Sequence, residues 1–156
     1  MRIAPWRIDP APDLAFDRPA VLRVLAGADA TTPASALFDR GWRVAPASDR
    51  QGLRLEGDTL GVADGHDRVS EPVAPGTIQL PPDGRPIVLL ADAQTHGGYP
   101  RIGHVIAADR PRLAQLRPGE ALRFAPCTAA QALQARREQA HRLARAAIAI
   151  ASRMTL

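Results

Sequence analysis

Two short aliphatic runs, Thr77-Ile78-Gln79-Leu80 and Pro86-Ile87-Val88-Leu89-Leu90, flank Pro81-Pro82-Asp83-Gly84, and this arrangement most constrains what the chain can become. Proline fixes φ and glycine can take φ > 0, so the stretch predicts a β-hairpin with a tight turn. Ile78, Leu80, Ile87 and Leu89 are its expected core residues. The second strand runs into Asp92-Ala93-Gln94-Thr95-His96-Gly97-Gly98-Tyr99-Pro100. Two glycines there let backbone approach a ligand, and the flanking side chains donate or accept hydrogen bonds. A polar loop held by a rigid hairpin is a natural seat for function.

The rest of the chain extends the β pattern. Val21 to Leu25 alternates around one charge and ends at Gly27; Trp42 to Ala45 and Leu53 to Glu56 alternate apolar and polar residues; Ile102 to Ala107 and Ala121 to Phe124 follow. Thr32-Pro33 sets an N-cap and N1 for a short helix from Ala34 to Asp39, and Asp109 is positioned to cap another through Leu116. Asp58 to Arg68 has the composition of an exposed loop. The expected fold is mainly β, a closed antiparallel barrel with few helices: an extended lead-in over 1–19, the barrel over 20–127 and a long helix over 128–156. Thr128 and Gln131 fit a capping box, and Leu133, Ala140, Leu143, Ala147 and Ile150 recur on one face of that last helix, opposite arginines. The favoured expectation packs this stripe across an open end of the barrel; the rival is a helix for a partner or an anionic surface.

Charge and composition remove several classes of function. All 20 Lys+Arg residues are arginine, so there is no Walker A, Schiff-base or biotinyl lysine. Aromatics at 4% leave few platforms for stacking bases, and no nucleic-acid partner is expected. The single cysteine, Cys127, excludes an internal disulfide and a multi-cysteine zinc site, and reads as a small, partly buried residue. No run approaches the roughly 20 apolar residues of a membrane span, and the N-terminus lacks the apolar core of a signal peptide, so a cytoplasmic protein is expected. HExxH, GxSxG and carboxylates at metal spacing are absent, so no metal site is assigned.

Two polar stretches carry the candidate chemistry. Gln94, Thr95, Gly97, Gly98 and Tyr99 suit recognition of a carboxylate, amide or phosphate, and His96 among them can move a proton near neutral pH; its rival reading is a solvated loop histidine. Ser48-Asp49-Arg50 puts a hydroxyl, a carboxylate and a guanidinium in one turn, where Arg50 can pair with an anionic substrate or Asp49 and Arg50 can brace the turn. Gln79 lines the same mouth if its strand is a neighbour. His96 and Arg50 are the candidate catalytic groups, and Ser48, Asp49, Gln79, Gln94, Thr95, Gly97, Gly98 and Tyr99 the candidate substrate contacts. His104, within a strand, reads as structural.

Five motifs in order, namely Ser48-Asp49-Arg50 with Gly52 and Arg54-Leu55, Val73-Ala74-Pro75-Gly76-Thr77-Ile78-Gln79, Pro82-Asp83-Gly84-Arg85-Pro86-Ile87, Gln94 to Pro100 and Leu113 to Gly119, resemble the C-terminal half of the allophanate hydrolase subunit 2 family. That family includes the C component of 5-oxoprolinase, the carboxyltransferase part of urea carboxylase and a sporulation antikinase. The resemblance implies a cyclophilin-like barrel and, as function, a subunit or half-subunit of an ATP-dependent 5-oxoprolinase that is inactive alone. It also implies ATP, with Mg²⁺, shared with an allophanate hydrolase subunit 1-like partner (the B component of 5-oxoprolinase), and a small anionic or amide substrate; the N-terminal half of the family pattern is missing here, as in a split gene with that half supplied in trans, a truncated paralogue or a fragment. The alternatives are a urea carboxylase type carboxyltransferase, with biotin on another chain, and a non-catalytic regulator that binds a kinase inhibitor.

Overall fold

The structure, a computed structural model, describes residues 19–29, 34–61 and 69–154. In chain order these form β1 (Ala20–Ala26), α1 (Ala34–Phe38), β2 (Gly41–Val44), β3 (Gly52–Glu56), β4 (Glu71–Pro72), β5 (Thr77–Gln79), β6 (Ile87–Leu89), β7 (His96–Gly97), β8 (Arg101–Val105), a 3-10 turn (Ala107–Asp109), α2 (Arg110–Leu113), β9 (Ala121–Pro126) and α3 (Ala129–Met154). The predicted hairpin is β5 and β6. Gly84 takes φ +71° and its N–H donates to Pro81 O at 3.0 Å, which closes the turn. Residues 1–18 of the expected lead-in over 1–19, the Thr32-Pro33 cap and much of the Asp58 to Arg68 loop lie outside the described residues.

Seven strands close a barrel in the order β1-β8-β5-β6-β3-β2-β9. The seam between β1 and β9 is parallel, from Ala20 opposite Leu122 to Val24 opposite Pro126, whereas a wholly antiparallel barrel was expected. Parallel neighbours need a long crossover, and here the rest of the barrel supplies it. β4 and β7 form a separate two-stranded ribbon.

Strand alternation sorts the side chains. Ile78 and Val88, paired across the hairpin, are fully buried in the interior with Leu22, Val24, Val44, Leu53, Leu55 and Phe124. Leu80 joins that cluster as expected. Ile87 and Leu89 flank the inward Val88 and so point outward: Ile87 is half-buried, and Leu89 is buried apart from the main cluster. Gln79, next to inward Ile78, shares that outer face.

Asp109 does not cap the short helix with its side chain. Its buried carboxylate instead accepts hydrogen bonds from the backbone N–H of Arg23 at 2.8 Å and from the Arg23 guanidinium at 2.9 and 2.6 Å, tying the 3-10 turn to β1. α3 begins with the predicted capping box: Thr128 N donates to Gln131 Oε1 at 2.9 Å, and Gln131 N to Thr128 Oγ1 at 3.2 Å. The helix meets the body through Ala135, which is buried, and Gln139, whose Nε2 donates to Ala108 O at 3.4 Å. The expected stripe therefore does not cover the barrel: Leu133 and Leu143 are exposed. Among the described residues no helix is long and apolar enough to cross a membrane.

Candidate functional site

Gln79 lies where β5 shifts register against β8, between Ile78 opposite Gly103 and Gln79 opposite Arg101. Such irregularities re-aim a side chain. The polar loop is laid over it by the ribbon, in which Glu71 faces Gly97 and Pro72 faces His96, with Val73 N donating to Thr95 O at 2.9 Å. Arg101 pins the ribbon to the barrel: its Nη2 donates to Glu71 Oε2 at 2.5 Å, and its backbone N and Nε donate to Asp29 Oδ2 at 3.1 and 3.3 Å.

Beneath this loop Gln79 is 1% exposed, and its Nε2 is the one buried side-chain polar atom without a hydrogen-bond partner among the described residues. Its Oε1 accepts a long bond, 3.4 Å, from Nε2 of the exposed Gln94. Gly97 passes so close that a Cβ there would stand 2.6 Å from the Gln79 nitrogen. Gln79 also lines a cavity of 140 Å³, together with Gly52, Ile87 and Leu89 and the polar residues Asp49, Gln51, Arg54, Gln94 and Tyr99. A broader depression of 460 Å³ by Trp42, Arg43, Glu56 and Arg123 has no unpaired buried polar atom among the described residues.

The two candidate stretches adjoin, with Asp92 N donating to Arg50 O at 3.3 Å, but not every named residue reaches the cavity. Ser48 Oγ accepts from Arg54 N at 3.0 Å and donates to Arg54 O at 3.3 Å, so it braces the turn. Asp49 Oδ1 accepts from Gln51 N at 2.8 Å and Gly52 N at 3.2 Å while the residue also lines the cavity. Arg50 was expected to meet the anion, yet its side chain is 92% exposed, 3.4 Å from Asp92 Oδ2, and outside the lining. The guanidinium at the cavity belongs to Arg54, which makes no side-chain hydrogen bond or ion pair with a described residue. Its place between inward Leu53 and Leu55 is the alternation signal that could have found it.

His96 is exposed, with Nδ1 3.1 Å from Thr95 Oγ1, and neither residue lines the cavity; Gly98 is half-buried beside them. His104 sits half-buried on β8, Nδ1 3.4 Å from Thr77 Oγ1, and burial holds its pKa below the ordinary value. No group of acidic, His or Cys side chains among the described residues is placed to hold a metal ion. Taken together, the cavity is lined by a buried amide donor and an arginine, neither paired through its side-chain nitrogens with a described residue, and by the exposed amide of Gln94, a set that suits a ligand rich in oxygen acceptors.

Residues 4–126 match the family described as carboxyltransferase domain, subdomain A and B. Two relatives are the C components of 5-oxoprolinase from Escherichia coli (strain K12), 43% identical over 104 residues, and from Haemophilus influenzae, 42% identical over 97 residues. These alignments cover 67% and 62% of this chain but only 34% and 31% of the relatives, so the chain spans about a third of their length. Among solved structures, TTHA0988 superposes with TM-score 0.63 at 36% identity, over 80% of this chain and 23% of that one. The Kluyveromyces lactis urea carboxylase shares the fold with TM-score 0.67 at 23% identity, over 73% of this chain and 11% of its own. Motif order, barrel and match agree, and the chain belongs to the carboxyltransferase domain, subdomain A and B, family.

Proposed function

We propose that this chain is a component of a 5-oxoprolinase-type system and holds the small amide substrate in the Gln79 cavity. The observation that carries the proposal is the buried Gln79 Nε2, a donor with no acceptor beside an open space of 140 Å³. A buried donor left unpaired costs about 1–3 kcal/mol, and a ligand oxygen would offset it. Gln94, exposed and tied by one long bond, is the part that swings aside to admit that oxygen. 5-Oxoproline carries a lactam carbonyl for Gln79 and a carboxylate for Arg54, which can bind it by charge-assisted hydrogen bonds. The name borne by the two relatives supports this choice of substrate.

ATP does not fit this cavity, which is well below the roughly 300–1,000 Å³ of cofactor pockets, and no metal-holding group stands near it among the described residues. We assign ATP and Mg²⁺ to the assembly with an allophanate hydrolase subunit 1-like protein (the B component of 5-oxoprolinase), as the family resemblance implies. This chain binds and orients; lactam hydrolysis needs the assembly, which works in the cytoplasm. The family's description favours one second function, carboxyl transfer to urea, which is also a small amide; with no lysine here, biotin would ride on another chain.

Purified chain mixed with its partner subunits is expected to hydrolyse ATP only when 5-oxoproline is present, and the chain alone is expected not to. Turnover that follows the isolated chain at constant specific activity, or a melting shift with urea and none with 5-oxoproline, would overturn the proposal.

A further inference from the structure

We infer that α3 is a docking surface for an acidic protein partner, a subunit of the assembly proposed above. The helix holds five arginines and one glutamate, so it carries the chain's entire formal charge of +4 and leaves the remainder balanced. Leu133, Leu143 and Ile148 project from it at 49%, 66% and 69% exposure. Ala140, Ala144 and Ala147, at spacings of four and three, make an exposed strip between them where another helix can approach closely. The family match ends at residue 126, before the helix begins, so the shared barrel gives it no role.

The occupant follows from charge and side-chain size. An exposed apolar strip among arginines fits a surface with an apolar centre and an Asp/Glu rim. A second copy of α3 would bring the same arginines and be repelled. A lipid interface favours Trp and Phe as well as Leu on the inserted face, and here that face has no aromatic residue and alanines along its centre. The helix is rooted on the 3-10 turn that follows β8, while the Gln79 cavity lies near the start of β8. A partner on α3 thus leaves the cavity open, as a substrate-holding subunit requires.

The identity of the partner rests on the proposed function; its chemistry does not. The test titrates the full chain with the purified subunit 1-like protein. R137E/R145E and L143D are each expected to bind about tenfold or more weakly, with wild-type affinity falling steeply as salt rises. Both variants should keep the wild-type melting temperature, since all three side chains are exposed. Unchanged affinity in both variants overturns the inference. So does self-association that L143D abolishes, or binding to vesicles of about 30% phosphatidylglycerol without binding to the protein. 5-Oxoproline-dependent ATP hydrolysis in the same mixture judges the function separately: activity with unaltered variant binding sinks the docking surface alone, and a wild-type mixture that shows neither activity nor binding sinks both.

Discussion

Gly97 lies against the buried amide of Gln79, its missing Cβ leaving room that a methyl group would take from Nε2 at 2.6 Å. The backbone at Gly97 is outside the positive-φ region, so alanine is conformationally acceptable there, and only the flexible end of Gln79 must move. Gly97→Ala is expected to cost about 1–2 kcal/mol of stability while weakening 5-oxoproline binding at least tenfold. Thermal melting and calorimetric titration of the same variant check both; intact affinity would mean that the Gln79 amide does not read the ligand.

Gln79→Met should separate stability from function. The replacement is apolar and similar in volume, and it removes a donor that costs about 1–3 kcal/mol while unpaired. The variant is expected to be as stable as the wild type or more so in urea, with ligand affinity down tenfold or more. A destabilised variant that still binds would show that Gln79 is a packing residue.

The hairpin was legible because Pro81 and Gly84 state a turn in local chemistry, and the strands around it because they alternate. Which face of a strand looks inward is not local. Ile87 and Leu89 are as aliphatic as Val88, and only closure of the barrel puts Val88 inside. Arg50 and Arg54 both look available to an anion, yet Asp92 pairs with the first and the pleat turns the second to the cavity. Burial of Gln79 depends on Arg101 holding Glu71 across thirty residues, a long-range contact with no signature in either stretch. The leucines of α3 misled for another reason: a helix's apolar side need not face its own barrel.

The Arg23–Asp109 pair should matter more than an ordinary surface ion pair. The Asp109 side chain is 3% exposed and accepts three hydrogen bonds, while Arg23 is 43% exposed. Asp109→Asn is expected to cost about 1.5–3 kcal/mol, the range for bonds to charged groups, and to loosen the turn on which α3 is rooted. Urea denaturation measures the first effect and hydrogen exchange at Gln139 the second; a loss below about 0.5 kcal/mol would class the pair with exposed ones.

Two arginines near the cavity should behave oppositely. Arg54→Ala is expected to weaken binding of a carboxylate ligand by about 1.5–3 kcal/mol, while Arg50→Ala, removing an exposed pair, should change stability and affinity by under about 0.5 kcal/mol. Titrations with 5-oxoproline and with its uncharged amide sharpen the contrast. Equal losses in Arg54→Ala for both compounds would mean that its guanidinium does not meet the carboxylate.

His104 gives the fold a pH dependence whose sign can be worked out. Burial first, and then the positive charge of Arg110, depress its folded pKa below the ordinary 6.5. The unfolded chain therefore takes up a proton at a higher pH than the folded protein does. Stability from this group is complete above about pH 6.5 and falls as pH drops from there through the lowered folded pKa, below which it levels off. Protonation would also set a charge beside Thr77 Oγ1, 3.4 Å from Nδ1, on the strand that carries Gln79. Denaturation midpoints of wild type and His104→Gln, compared between about pH 7.5 and 5.5, should show a steeper loss in the wild type. Parallel curves would assign the acid sensitivity of the protein to other groups.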